Sequence, residues 1–120
     1  MSKTIPNRVL ICNTCLRAPD ATPLADDIEA LRTALQSAGL AALFEVTEVG
    51  CFGGCSNPSG IAFQGQGRAS YVFSGTELAS DLNDVLAFCH AYLAAKDGWI
   101  EDARPLGRLR HCLRARIPAF

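Results

Sequence analysis

No window of the chain holds the roughly 20 consecutive apolar residues that a bilayer-spanning helix requires. The opening residues, Met1-Ser2-Lys3-Thr4-Ile5-Pro6, contain no apolar run leading to a small-residue cleavage site, which argues against a secretory leader. The expected compartment is therefore the cytoplasm, and no membrane partner is expected. Internal repeats and low-complexity segments are also missing. So is any recognisable catalytic frame: there is no paired carboxylate arrangement, no nucleophile elbow and no phosphate-cradling loop. Gly65-Gln66-Gly67 reads as a turn, too short to match a dinucleotide fingerprint. With no catalytic constellation visible, the chain is not expected to be an enzyme.

Charge is spread unevenly along the chain, and its last 17 residues combine base with no acid. Residues 1–103 carry six basic and 12 acidic side chains, a net −6. Residues 104–120 carry Arg104, Arg108, Arg110, Arg114 and Arg116 with no acid, a net +5. Such a tail either clamps the acidic body or docks an acidic partner, and the first is the expectation. Nucleic acid is disfavoured, because no aromatic interleaving accompanies the arginines.

What is present suits one folded domain. A chain of 120 residues, 49% of them hydrophobic, can bury a core without crosslinks. Arg8-Val9-Leu10-Ile11 is a continuous apolar run of the kind found in a strand buried on both faces, and it leads into Cys12. Thr22-Pro23 is suited to open a helix over 23–38, with Leu24, Ile28, Leu31 and Leu35 on one face and Gly39 as its stop. Residues 43–49 read as a strand. Ile61–Gln64 and Ser70–Phe73 flank Gly65-Gln66-Gly67-Arg68 as a hairpin. Either Thr76 or Ser74 with Glu77 caps a second helix over 77–96, whose apolar stripe includes Leu78, Leu82, Val85, Cys89 and Leu93. Gly98 is its stop. In the tail, Leu109 and Leu113 suggest a short basic helix near 105–114.

The six cysteines are the informative residues, because a cytoplasmic chain uses them as ligands, redox thiols or core residues rather than as a disulfide framework. Cys12-Asn13-Thr14-Cys15 follows the first strand, and Cys51-Phe52-Gly53-Gly54-Cys55 follows the second. A strand–helix–strand unit makes a parallel pair through a right-handed crossover, so both strands end at one edge of the sheet. Both cysteine pairs are thereby expected at one corner. Four convergent thiolates suit tetrahedral zinc or an iron–sulfur cluster. Gly53 and Gly54 let peptide N–H groups approach sulfur, and Pro19–Pro23 is a candidate lid. A dithiol at Cys12 and Cys15 is the further alternative, although such a motif normally opens a helix directly. Cys89 reads as a buried core thiol, Cys112 beside His111 as incidental, and His90 as surface. Phe52 and Phe63, near the cysteine corner, read as core.

Cys51-Phe-Gly-Gly-Cys55, followed by Pro58, the Gly-Gln-Gly hairpin and a helix beginning Thr76-Glu77-Leu78, resembles the thioredoxin-like [2Fe-2S] ferredoxins. The resemblance implies an α/β thioredoxin-like ferredoxin fold over residues 7–97, a four-stranded mixed sheet with two long helices. It also implies a [2Fe-2S] cluster on Cys12, Cys15, Cys51 and Cys55, one-electron transfer to a redox partner protein, and a homodimer. The C-x2-C spacing of Cys12 and Cys15 is narrower than is usual in that family, which leaves zinc as the alternative. Val9-Leu-Ile-Cys-Asn-Thr-Cys15, Asp97-Gly98-Trp99-Ile100 and the ending Arg114-Ala-Arg-Ile-Pro118 are similar to a domain-of-unknown-function family of small bacterial predicted metal-binding proteins. Genes of that family often stand beside cobalamin or metal-homeostasis genes. The organisation expected is a domain over 1–98 and a basic extension over 99–120, packed on it or tethered to it.

Overall fold

The computed structural model describes residues 6–12, 24–49, 60–76, 78–101 and 104–119. Along these the chain forms β1 (Asn7–Cys12), α1 (Leu24–Ser37), β2 (Phe44–Val49), β3 (Ile61–Gly65), β4 (Ser70–Phe73), α2 (Leu78–Ala94) and β5 (Leu113–Ile117). Two 3-10 segments, Lys96–Gly98 and Arg104–His111, link α2 to β5. The strands make one mixed sheet in the order β2-β1-β3-β4-β5. β1 is parallel to β2 and antiparallel to β3, and β4 is antiparallel to both β3 and β5.

β1 is buried on both faces, as its unbroken apolar run predicts. Val9 and Ile11 join the main core with Ile28, Leu31 and Leu35 of α1 and Val85, Phe88, Cys89 and Tyr92 of α2. Leu10, Cys12 and, on β3, Ala62 are also buried but lie outside that cluster, on the opposite side of the sheet. Aromatic rings fill the centre. The ring of Phe63 lies 4.2 Å from that of Phe88, and Tyr71 meets Phe88 edge-on at 4.9 Å. Phe63 is thus a core residue, as its sequence context predicts; Phe52 lies outside the described residues.

A glycine ends α1, whereas α2 stops at Ala94, before an extended Ala95 (φ −78, ψ 142), and not at Gly98 as the sequence suggests. Gly39 sits at φ +74, and the Leu40 amide donates back to the Leu35 carbonyl at 2.8 Å, closing α1 in a left-handed cap. At the end of α2, Asp97 and Gly98 both have positive φ, 53 and 69. The sheet holds this corner. The Ile100 amide donates to the Tyr71 hydroxyl at 2.8 Å, and that hydroxyl donates to the Gly98 carbonyl at 2.8 Å. The Ala69 amide donates to the Asp97 carbonyl, and the Tyr92 hydroxyl donates to the Ala69 carbonyl. The Asp-Gly-Trp motif is therefore a backbone hub that turns the chain from α2 toward the last strand.

The tail departs from the sequence expectation. The expected four-stranded sheet has a fifth strand, and the expected helix near 105–114 is a 3-10 segment that ends before Cys112. Gly107, at φ 59 and ψ −130, interrupts the helical run, and a side chain there would collide with the Asp84 carboxylate. Beyond it, β4 offers a backbone edge, and Leu113–Ile117 pairs along it. The tail is also clamped to α2. Arg108 donates to Asp81 through Nε at 3.0 Å and Nη2 at 2.6 Å, and its amide donates to Asp84 at 3.1 Å. Asp81 is 4% exposed and Arg108 46%, so the acid sits in protein and the base reaches in from the surface. At the far end of the tail the Arg116 guanidinium lies 3.8 Å above the Trp99 ring and donates to the Ile100 carbonyl at 3.0 Å.

Removing this clamp takes two charge-assisted hydrogen bonds from a nearly buried carboxylate. Arg108→Ala is expected to cost about 2 kcal/mol, a value reduced from that of a fully buried pair because Arg108 is half exposed. Urea unfolding followed by Trp99 fluorescence measures it, and an unchanged midpoint contradicts the clamp. The core also sets an alkaline limit. Burial pushes the Cys89 thiol up to about 12, and burial likewise raises Tyr92 to about 12, with Arg68 opposing. Unfolding releases these protons above the ordinary values of about 9 and 10, so both contributions are fully present below pH 9 and are lost as pH rises toward 12. Stability is expected to fall by about 1 kcal/mol per pH unit for each group in that window. In Cys89→Ala, calorimetry should show a shallower fall between about pH 9 and 10, and an unchanged slope would contradict this assignment.

Candidate metal centre

The cysteine edge of the sheet is set by one register. β1 and β2 run parallel with Asn7 opposite Phe44 and, at their other ends, Cys12 opposite Val49. α1 lies between them in sequence, so the two strands share a direction and stop at the same edge. Cys12 is the last residue of β1 and is 1% exposed. Its amide donates to the Gly60 carbonyl at 3.1 Å. Cys12 therefore stands between Val49, the last residue of β2, and Gly60, immediately before β3.

That arrangement bears on the segment carrying the second cysteine pair. It leaves the described chain after Val49 on one side of Cys12 and rejoins it at Gly60 on the other. β1 has β2 and β3 as its neighbours, so the connection from β2 to β3 has both ends anchored beside Cys12. Of the four cysteines read as ligands, Cys12 lies on this edge, while Cys15, Cys51 and Cys55 lie outside the described residues. The same holds for Gly53, Gly54 and the Pro19–Pro23 lid. Among the described residues, no group of three or more His, Cys, Asp or Glu side chains is placed to hold a metal ion.

The other two cysteines are built into the core. Cys89 is fully buried on the inner face of α2, as its place in the apolar stripe predicts, and desolvation keeps it a neutral thiol. Cys112 is 7% exposed within the same core, with its sulfur 4.0 Å from the Gly75 carbonyl. His90 and His111 are exposed, and the Arg110 guanidinium contacts the His111 ring. A polar cleft of about 430 Å³, lined by Asn7, Arg8, Glu45, Gln64 and Ser70 among others, opens at the opposite end of β1 from Cys12. Among the described residues no cysteine lines it. Sequence reasoning missed Gly60 as the second neighbour of Cys12; the strand order was the signal it needed.

Among the described residues no helix is long and apolar enough to cross a membrane. Comparison with curated proteins and with solved structures finds no match to this chain. One family model matches, over residues 9–119, and is described as a protein of unknown function, DUF1636. That span runs from β1 through β5, including the Asp-Gly-Trp hub and the arginine-rich strand, and the chain belongs to the DUF1636 family.

Proposed function

We propose that the protein is a one-electron carrier of the thioredoxin-like ferredoxin type, with a [2Fe-2S] cluster held by Cys12, Cys15, Cys51 and Cys55. The observation that carries this reading is the position of Cys12. It ends a strand flanked by β2 and β3, between the two anchored ends of the segment that contains Cys51 and Cys55. Covalent reach limits how far two of the other thiols can lie from it, because two residues span about 7 Å and three about 11 Å at full extension. Cys51 follows Val49 by two residues and Cys15 follows Cys12 by three. Four thiolates gathered at one edge repel one another unless a cation offsets their charge.

Each cysteine serves as a thiolate ligand. The burial of Cys12 limits water at the site, and donors from nearby peptide N–H groups lower the charge density on sulfur, both of which tune a reduction potential. The bound cluster supplies a single one-electron couple. The chain's own residues hold it, exclude solvent and present the edge to a redox partner protein, with no substrate chemistry of their own. Zinc on the same four cysteines is the second reading. The Cys12-x2-Cys15 spacing favours it, since close C-x2-C pairs are standard in tetrahedral zinc sites. A zinc protein of this kind serves structure or metal delivery. A reversible dithiol at Cys12 and Cys15 is the third.

Anaerobic purification followed by visible spectroscopy and iron, sulfide and zinc analysis separates these readings. Sulfide-to-iron charge-transfer bands that bleach with dithionite are expected, with two irons and two sulfides per chain. A colourless protein with one zinc sinks the cluster, and a metal-free protein with a reversible disulfide favours the dithiol. Cys55→Ser is expected to lose or destabilise the chromophore, whereas Cys89→Ala is expected to leave it intact. Bleaching in Cys89→Ala would show that the ligand set is wrong.

A further inference from the structure

β5 is the outer strand of the sheet, and among the described residues no strand pairs with its outer side. Such an edge presents a row of backbone donors and acceptors that can pair with another chain. Two of the three exposed large hydrophobic side chains of the described residues lie on this strand, Leu113 at 41% and Ile117 at 56% exposure. The strand also lies within residues 104–120, which carry five arginines and no acid.

Its arginines are not equivalent. Arg108, before the strand, is committed to Asp81, and Arg116 is committed to Trp99 and the Ile100 carbonyl. Arg114 is exposed and makes no ion pair among the described residues. Val72 pairs with Ala115 and Phe73 with Leu113, so Arg114 is the residue in excess at the irregularity between β4 and β5. Arg110, also exposed, hydrogen-bonds to the neighbouring His111 ring and makes no ion pair among the described residues. The edge thus keeps cationic groups that the fold does not neutralise, beside an unpaired backbone.

A second copy is a poor occupant. Antiparallel self-pairing about Ala115 sets Arg114 against Arg116 of the other chain, and Arg116 against Arg114, and like charges directly opposite are destabilising. The same charges favour an extended segment with acidic residues at alternate positions. One of its carboxylates would face Arg114, and its apolar side chains would lie beside Ala115 and Ile117. We propose that β5 is a docking edge at which an acidic, extended segment of a partner protein adds as a sixth strand. This inference does not depend on what the cysteines hold.

The probe is a capped peptide of alternating Glu and Val, about seven residues long to match a typical strand, titrated into the full protein and followed by backbone chemical shifts and amide hydrogen exchange. Shifts and slowed exchange confined to residues 113–117 and their β4 neighbours are expected. A peptide of the same sequence with alternate backbone amides N-methylated keeps its charge but cannot complete the ladder, and it should lose the protection. Arg114→Glu, at an exposed position, should weaken binding about tenfold or more while leaving the melting temperature unchanged. Three results would overturn the proposal. These are equal binding of both peptides, which reduces it to charge attraction; no binding by the folded protein; and slow exchange at residues 115–117 without peptide in a protein of dimeric size, which puts a second copy on the edge.

Discussion

The parallel pairing of β1 with β2 is the constraint on which the rest of the molecule depends. Cys12 opposite Val49 follows from a crossover that α1 completes in one hand, because a right-twisted strand feeding a right-handed helix returns to the sheet that way. The apolar faces of α1 and β1 make that return favourable. Ile28, Leu31 and Leu35 close over Val9 and Ile11, and the pairing is locked by the burial of both layers. β3 then adds on the free side of β1, and the Cys12 amide finds its acceptor at Gly60. Two segments distant in sequence thereby leave the sheet at one edge.

The opposite edge is organised by charge and by one aromatic corner. The acidic body and basic tail meet in the Arg108–Asp81 pair, where a half-exposed guanidinium serves a nearly buried carboxylate. Trp99, just past the positive-φ pair Asp97 and Gly98, gives Arg116 a ring to stack on. The two segments that carry the family resemblance, Asp-Gly-Trp and the arginine-rich ending, thus touch each other. Their residues are explained by holding β5 on the sheet, far in strand order from Cys12.

Much of this was legible in the sequence where a single periodicity dominates. The four-three-four spacing of Leu24, Ile28, Leu31 and Leu35 with Gly39 behind it marks α1, and the observed helix, Leu24–Ser37, differs from the expected 23–38 by one residue at each end. The hairpin of β3 and β4 was legible from Gly65-Gln66-Gly67 between two β-branched or aromatic runs. The tail was not, because two patterns compete there. Leu109 and Leu113 stand four apart as in a helix, while Leu113-Arg-Ala-Arg-Ile117 alternates as in a strand. Tertiary structure decides between them: an open β4 edge favours the alternation, and Gly107 ends the helical turn. At the candidate centre, the shared edge was legible from element order alone. The role of Gly60 was not, since it requires knowing that β3 joins β1 rather than β2.

The central claim is that both cysteine pairs serve one centre at the edge where β1 and β2 end. X-ray absorption at the metal edge of the anaerobically purified protein tests it most directly. The expected result is iron with a first shell of sulfur alone and a short iron–iron vector. A first shell containing nitrogen or oxygen, or fewer than four sulfurs, contradicts it, whereas a mononuclear site of four sulfurs keeps the shared centre and replaces the cluster with zinc.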